Sequence, residues 1–333
     1  MQLTCPRMTP IRWGIVGPGG IAEKFVADLR VAGGGTARAV VSRNMDRAKS
    51  AAAKFGAEFA FDNIEALAAE DSVDVVYIAT PHQAHCEAAK FLLECGKPVL
   101  LEKPLTVNAT QARELVQIAR ARGVFLMEAL WTRFLPIYQV VRDWLNEGRI
   151  GRVRWVDSSF CVRGDLDHAK RWMNPHLAGG SLLDLGIYCL AMTQFVLKQK
   201  PAEIAVAATM SSTGVDEMLT VSLGYGSGTL AGFVCGFVAG GDNRLIIAGE
   251  EGRVEIPAHF IAAQKAVLVR GSEVEVSEKP FNGGGFEYEI AEAHRCLRDG
   301  DIESPLMPLE DTLRNLETMD AIREKISLKY PFE

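Results

Sequence analysis

The sequence predicts two domains: an α/β domain with a doubly wound parallel sheet over residues 1–130, then an α+β domain with a mainly antiparallel open sheet over residues 131–333. Three observations predict this. From residue 11 onward, short apolar runs alternate with helical patterns, the signature of parallel strands joined by crossover helices. Residues 73–80 and 98–102 are almost continuously apolar, as strands covered on both faces must be. Past residue 130 the texture shifts to β-rich runs broken by glycine turns, which suits antiparallel pairing. A chain of 333 residues is long enough to bury two cores.

In the first domain, IRWGIVG, ARAVVS, VDVVYIAT, PVLLEK and VFLMEAL read as strands, with helices near 21–31, 46–55, 83–95 and 108–122. In the second, WTRFLPIYQVVRDWLNEG reads as helical, GRVRWVDSSF as a strand and GGSLLDLGIYCLAMTQFVL as a long helix. EIAVAATMSS, EMLTVSLGYGSGTLAGFVCGF, NRLIIAGEEGRVEIP and KAVLVRGSEVEV supply the strands of the antiparallel sheet. Helices near 285–298 and 308–326 close the chain, the last carrying Leu309, Leu313, Leu316, Met319 and Ile322 at helical spacing and free to pack back on the first domain.

Composition excludes several function classes. A net charge of −6 offers no basic field for nucleic acid. The opening MQLTCPRMTPIRW lacks an apolar core of signal-peptide length, and no later run is read as a membrane span, so a cytoplasmic protein is expected. The seven cysteines, Cys5, Cys86, Cys95, Cys161, Cys189, Cys235 and Cys296, are odd in number, scattered and without a C-x-x-C pair, so neither a disulfide framework nor a zinc ribbon is expected.

Gly17-Pro18-Gly19-Gly20-Ile21-Ala22 fits G-x-G-x-x-G/A directly after a strand and before a helix. In that setting Gly17 allows the tight turn, Gly19 lets the backbone approach a pyrophosphate, Ala22 lets helix and strand pack closely, and the helix N-terminus faces the anion. The expected element is a Rossmann dinucleotide site. At the tip of the second strand, where an NAD site usually carries an acid, stand Ser42 and Arg43, with Arg47 a helical turn later. Arginine suits a 2′-phosphate, so NADP is the expected cofactor and NAD the lesser one; in the alternative, Asp46 reaches the ribose and both arginines are solvated.

PVLLEKPL ends in Glu102 and Lys103, stopped by Pro104, at the carboxyl end of a parallel strand where ligands of such sheets lie. In LLDLGIYC, Asp184 and Tyr188 are four positions apart on one helix face. The glycine turn, Glu102-Lys103-Pro104 and Asp184-Leu185-Gly186-Ile187-Tyr188 together resemble the glucose–fructose oxidoreductase, inositol dehydrogenase and MocA family over nearly the whole chain. FLMEALWTRFLP, GGSLLDLGIYC and SPLMPLEDTL are most similar to its dimeric trans-dihydrodiol dehydrogenase branch and the NADP-dependent xylose dehydrogenases. Tyr188 stands where many members of the family have histidine.

The resemblance maps the family's catalytic lysine onto Lys103, its acid/base onto Tyr188 and its carboxylate onto Asp184. The chemistry is consistent: hydride transfer from a carbinol carbon requires a base in reach of the hydroxyl. A phenol titrates near pH 10, and a nearby ammonium is expected to lower that value. The family's Thr-Pro-x-x-x-His pattern fits Thr80, Pro81 and His85, with His82 where many members have asparagine beside the nicotinamide ribose; Trp131 and Arg133 resemble family residues by the nicotinamide, and Glu102 lies there by its place at the strand end. Trp131, Phe160, Arg163, Arg171, Trp172 and Phe286 are candidate substrate contacts, with the FNGGGF loop at 281–286 as the far wall. His82, His85 and Cys86 lack a fourth ligand at sensible spacing, so no metal is expected. The apolar alternation in LTVSLGYGSGTLAGFVCGFVAG and the resemblance to the dimeric branch predict a homodimer. The expected activity is NADP-dependent hydride transfer to or from a ring alcohol of an aldopyranose or a trans-dihydrodiol. A relative using transient redox for glycosidic cleavage and a non-catalytic NADP-sensing protein are the alternatives.

Overall fold

The computed structural model describes residues 9–164, 166–167 and 170–333, so Cys5 lies outside the described residues. The first sheet holds β1 (Ile11–Val16), β2 (Gly35–Val41), β3 (Phe59–Phe61), β4 (Val75–Ile78), β5 (Val99–Glu102) and β6 (Leu126–Ala129) in the order β3-β2-β1-β4-β5-β6. All of its pairings are parallel, and the order reverses between β1 and β4, which leaves a crevice at their carboxyl ends. The connecting helices are α1 (Gly20–Ala32), α2 (Met45–Phe55), α3 (Ile64–Ala68), α4 (His85–Glu94) and α5 (Ala109–Arg122). Asn44, Asn63 and Asn108 cap α2, α3 and α5 by accepting backbone N–H bonds, and Gly56 and Gly123 end α2 and α5 with left-handed backbone. Neither β3 nor α3 stands out in the sequence, because three and five residues are too few to show a period.

After α6 (Pro136–Asn146) and β7 (Val153–Cys161), the chain forms a π-helical turn, Leu182–Gly186, that runs into α7 (Ile187–Leu197). The strands β8 (Glu203–Met210), β9 (Asp216–Gly224), β10 (Leu230–Gly236), β11 (Leu245–Gly249), β12 (Arg253–Ile256), β13 (Lys265–Arg270) and β14 (Glu273–Glu278) complete an eight-stranded sheet in the order β14-β13-β12-β11-β7-β10-β9-β8. It is antiparallel except where β10 pairs with β7. The closing helices are α8 (Glu287–Asp299), against α1, and α9 (Leu309–Lys325), against α5, β6 and α7.

Two expectations need correction here. The stretch Pro175–Leu197 has the length and apolarity of a membrane span, contrary to the sequence reading, but 83% of its most apolar window is buried inside the protein. It is the core helix between the second sheet and α9. In β9 and β10, the apolar alternation expected to form an exposed face points inward: Leu219, Val221, Leu223, Ala231, Phe233 and Cys235 are all buried against the chain's own helices. Thr220, Ser222, Gly232 and Val234 take the outer face, because successive strand residues alternate sides.

Candidate active site

The glycine turn follows β1. Gly17 has φ +84°, and a Cβ there would stand 2.8 Å from the carbonyl oxygen of Ala79 on the neighbouring strand, so only glycine fits. At Gly19 and Gly20 a Cβ would meet nothing within 4 Å. Helix α1 starts with no side-chain cap, which leaves donors of its first turn, at Gly20 and Ile21, facing that open space. Fully buried Ala22 lets α1 lie close on the sheet. A cavity of about 390 Å³ opens over the turn, lined by Pro18, Gly19, Gly20, Glu23, Arg47, Ser50, Ala51 and Lys54. These features fit a pyrophosphate at an uncapped helix N-terminus. Arg47 reaches back over the turn, its Nη2 donating to the Pro18 carbonyl at 3.2 Å. Ser42 sits beside it, its Oγ 3.5 Å from the Asn44 amide, while Arg43 and Asp46 are exposed. Lys54, ion-paired to Glu23 at 2.7 Å, adds a cation to the wall that the motif gives no reason to single out.

The carboxyl ends of β4, β5 and β6 carry the second group. Lys103 Nζ donates to Asp184 Oδ1 at 3.0 Å and to the Asp184 carbonyl at 2.7 Å, and lies 4.9 Å from the centroid of the Tyr188 ring. Asp184 belongs to the π-helical turn, a local widening frequent at functional sites, and Tyr188 follows on α7. Arg171 brackets the same carboxylate, its Nη2 3.2 and 3.0 Å from Oδ1 and Oδ2, and its Nη1 lies 3.2 Å from His82 Nε2. Burial alone would raise the Asp184 carboxyl, but the Lys103 and Arg171 cations outweigh it and hold it well below the usual range.

The phenol departs from expectation. Burial, then the charges of Glu102 and Asp184, push Tyr188 well above its ordinary value, opposed by the Trp131 indole, which donates to its oxygen at 3.2 Å. The expected lowering by Lys103 does not occur, because the ammonium is engaged by Asp184 and faces the ring rather than the hydroxyl. Glu102 turns into the core instead of pairing with the Lys103 ammonium. Its Oε1 accepts from Tyr77 at 2.5 Å and its Oε2 from the Lys103 amide at 3.1 Å. Glu289, fully buried with neither carboxyl oxygen partnered among the described residues, sits behind this layer; burial and Glu102 raise it well above the usual range, and the sequence gives no hint of it.

His82 and His85 serve the framework. His85 has Nδ1 2.9 Å from the Pro104 carbonyl and Nε2 2.8 Å from that of Thr80, joining the ends of β4 and β5, and burial lowers it to about 4. His82, after Pro81, has Nδ1 3.3 Å from the Ala178 carbonyl and is kept neutral by burial and Arg171. Thr80 keeps a buried hydroxyl at the crevice that has no partner among the described residues. Arg133 lies deeper than a site residue is expected to: its Nη2 bonds Asp311 at 2.9 Å and the Leu306 carbonyl at 3.0 Å, while its Nε and Nη1 have no partner among the described residues.

Aromatic rings form the walls. Trp131 stacks on Phe286, 5.1 Å between centroids and 3° between planes, and Phe160 meets Tyr188 edge-on at 5.6 Å. Trp172 is set back against Phe237 at 6.0 Å, and Arg163 is exposed at the end of β7. Among the described residues no three His, Cys, Asp or Glu side chains converge as a metal site.

Residues 11–130 match the family model described as oxidoreductase family, NAD-binding Rossmann fold, and residues 138–255 match the GFO/IDH/MocA C-terminal domain. The chain belongs to the GFO/IDH/MocA oxidoreductase family. Within it, the chain is 37% identical over 331 residues to the trans-1,2-dihydrobenzene-1,2-diol dehydrogenase of Mus musculus and 36% identical to that of Homo sapiens, covering 96% of this chain and 98% of each relative. Among solved structures, a 3-ketoreductase from Actinomadura kijaniata in complex with NADP and TDP-benzene is 28% identical with a TM-score of 0.83, covering 95% of this chain and 97% of that one. An aldose-aldose oxidoreductase from Caulobacter crescentus, 22% identical with a TM-score of 0.87 over 96% and 98% of the two chains, shares the fold. The NAD-binding Rossmann fold of this family spans residues 11–130, which include the glycine turn and Lys103.

Proposed function

We propose that this oxidoreductase transfers a hydride between NADP and a ring alcohol of a trans-dihydrodiol or an aldopyranose. The observation that carries the reading is the convergence of Lys103, Asp184 and Tyr188 under an aromatic wall at the carboxyl ends of β4 to β6. A bound nicotinamide supplies the hydride acceptor or donor. Asp184, kept ionised by Lys103 and Arg171, accepts hydrogen bonds from substrate hydroxyls. Trp131 occupies one lone pair of the Tyr188 oxygen, which leaves the phenolic O–H to point at a substrate oxygen. Because the phenol is pushed up, Tyr188 is a proton donor at neutral pH, which favours carbonyl reduction, and alcohol oxidation speeds up as pH rises and the phenolate fills.

Preference for NADP is supported by Arg47 and Lys54 on the cavity wall and by Arg43, exposed just past the end of β2. The NADP-bound relative from Actinomadura kijaniata favours the same choice. A homodimer is supported by the outer face of the second sheet. There a groove of about 720 Å³ holds Trp155 and Leu230, register partners on β7 and β10 that remain 42% and 62% exposed. The six described cysteines are free thiols, which suits a reducing compartment such as the cytoplasm.

The test is NADPH formation, with NAD run alongside, on a panel of trans-dihydrodiols and aldopyranoses. Tyr188→Phe is expected to cut turnover by about 10²–10⁴-fold with NADP binding intact. Unchanged turnover would remove Tyr188 from the chemistry, and tighter binding of NAD than NADP would remove the cofactor preference.

A further inference from the structure

Residues 281–286 read Phe-Asn-Gly-Gly-Gly-Phe, and residues 282–284 are exposed at the surface. Their backbone is nevertheless pinned by two buried carboxylates. Asp28, toward the end of α1, accepts from the amides of Gly284 and Phe286, both at 2.8 Å, through its two oxygens. Glu287, the first residue of α8, accepts from Asn282 at 3.1 Å and Gly283 at 2.8 Å through Oε1, and from Gly285 at 2.7 Å through Oε2. Five consecutive N–H groups therefore end on two acids from different helices. Among the described residues no ion pair involves either acid; the amides are their donors, while burial, and less strongly the neighbouring Glu287, raise the Asp28 carboxyl.

The three glycines follow from this arrangement. A Cβ at Gly283 or Gly284 would stand 2.9 Å from an Asp28 oxygen, and at Gly285, φ +104°, it would run into the Trp131 ring. Phe286 leaves the clamp to stack on Trp131, and Trp131 donates to Tyr188. Helix α1, which opens on the dinucleotide turn, is thus tied through Asp28 to the wall above the phenol.

We propose that Asp28 and Glu287 are positioning residues whose clamp on the 282–286 backbone sets Phe286 and, through it, the Trp131 indole over Tyr188, fixing the depth of the wall a substrate ring meets. The proposal rests on the functional reading above only for its kinetic consequence. The clamp itself is independent of it.

Two measurements test it. In Asp28→Asn an NH₂ group replaces one acceptor opposite an N–H, so amide exchange at 282–286 is expected to rise at least about tenfold, with NADPH affinity within about threefold of wild type. On whichever ring substrate turns over, Asp28→Asn and Trp131→Phe are each expected to raise KM about tenfold with smaller changes in kcat. The double variant is expected to be no worse than Trp131→Phe alone, because both act on one contact. Should Asp28→Asn fail to fold, Glu287→Gln carries the same expectations from the other helix. Slow exchange retained in the variants, or effects of Asp28→Asn and Trp131→Phe that multiply, would overturn the proposal. If no panel substrate reacts, the functional reading fails while the exchange measurement still decides the clamp.

Discussion

His85 shows how a side chain near the chemistry can serve the frame. Its two ring nitrogens face the carbonyls of Pro104 and Thr80, so a neutral ring donates to one and leaves the other opposed to a lone pair. Burial lowers the ring to about 4, against about 6.5 in an unfolded chain. Between those values the unfolded chain binds the proton more tightly, so this stability is complete above about pH 6.5 and drains away as pH falls toward 4. The shift corresponds to about 3 kcal/mol. The stability gap between wild type and His85→Gln, followed by denaturant unfolding, is therefore expected to narrow by that order from about pH 7.5 to pH 4. A gap that stays flat would show that His85 is not held neutral. Tyr188 teaches the complementary lesson: a lysine nearby does not lower a phenol when the ammonium is engaged elsewhere and carboxylates lie behind the ring.

The segment that carries Asp184 and Tyr188 is latched at its start. Asp216 on β9 is fully buried, and its Oδ2 accepts from Ser181 Oγ at 2.8 Å and from the Leu182 amide at 2.7 Å, satisfying donors of the first turn that would otherwise be orphaned. Gly180, φ +118°, passes so close that a Cβ would collide with the other Asp216 oxygen. Gly180→Ala is thus expected to destabilise the fold by about 2–4 kcal/mol in urea unfolding, through both backbone strain and loss of the latch. It is also expected to lower turnover, because Asp184 lies four residues on. A loss below about 0.5 kcal/mol would mean the turn relaxes freely. At this scale the sequence was partly legible. The helix and its two functional residues stand out, whereas the π-helical turn and the latch from β9 do not, since they depend on contacts more than thirty residues away.

At the scale of the molecule, α9 stitches the two domains at their junction. Asp311 pairs with Arg133, Thr312 donates to buried Glu128 at 2.7 Å, and Asp320 accepts from the Ala109 amide at 2.8 Å. The proposed dimer would use the outer face of the second sheet, where Trp155 and Leu230 are exposed. Leu230→Asp is expected to convert a dimer into a monomer by light scattering while leaving the inward residues Ala231 and Phe233 packed. A monomeric wild type, or a variant that remains dimeric, would rule this face out. The family resemblance singled out Lys103, Asp184 and Tyr188, and the sequence by itself determined the glycine turn and the main strands and helices, β3 and α3 excepted. Those depend on local periodicity and on residue types that few local structures tolerate. Only the tertiary structure decided which face of β9 and β10 is buried, that Arg133 lies deep beside α9, and that Asp28 and Glu287 hold the glycine loop. It alone also set the charge of each acid and of the phenol, because ionisation follows burial and the charges of neighbours brought together from distant parts of the chain.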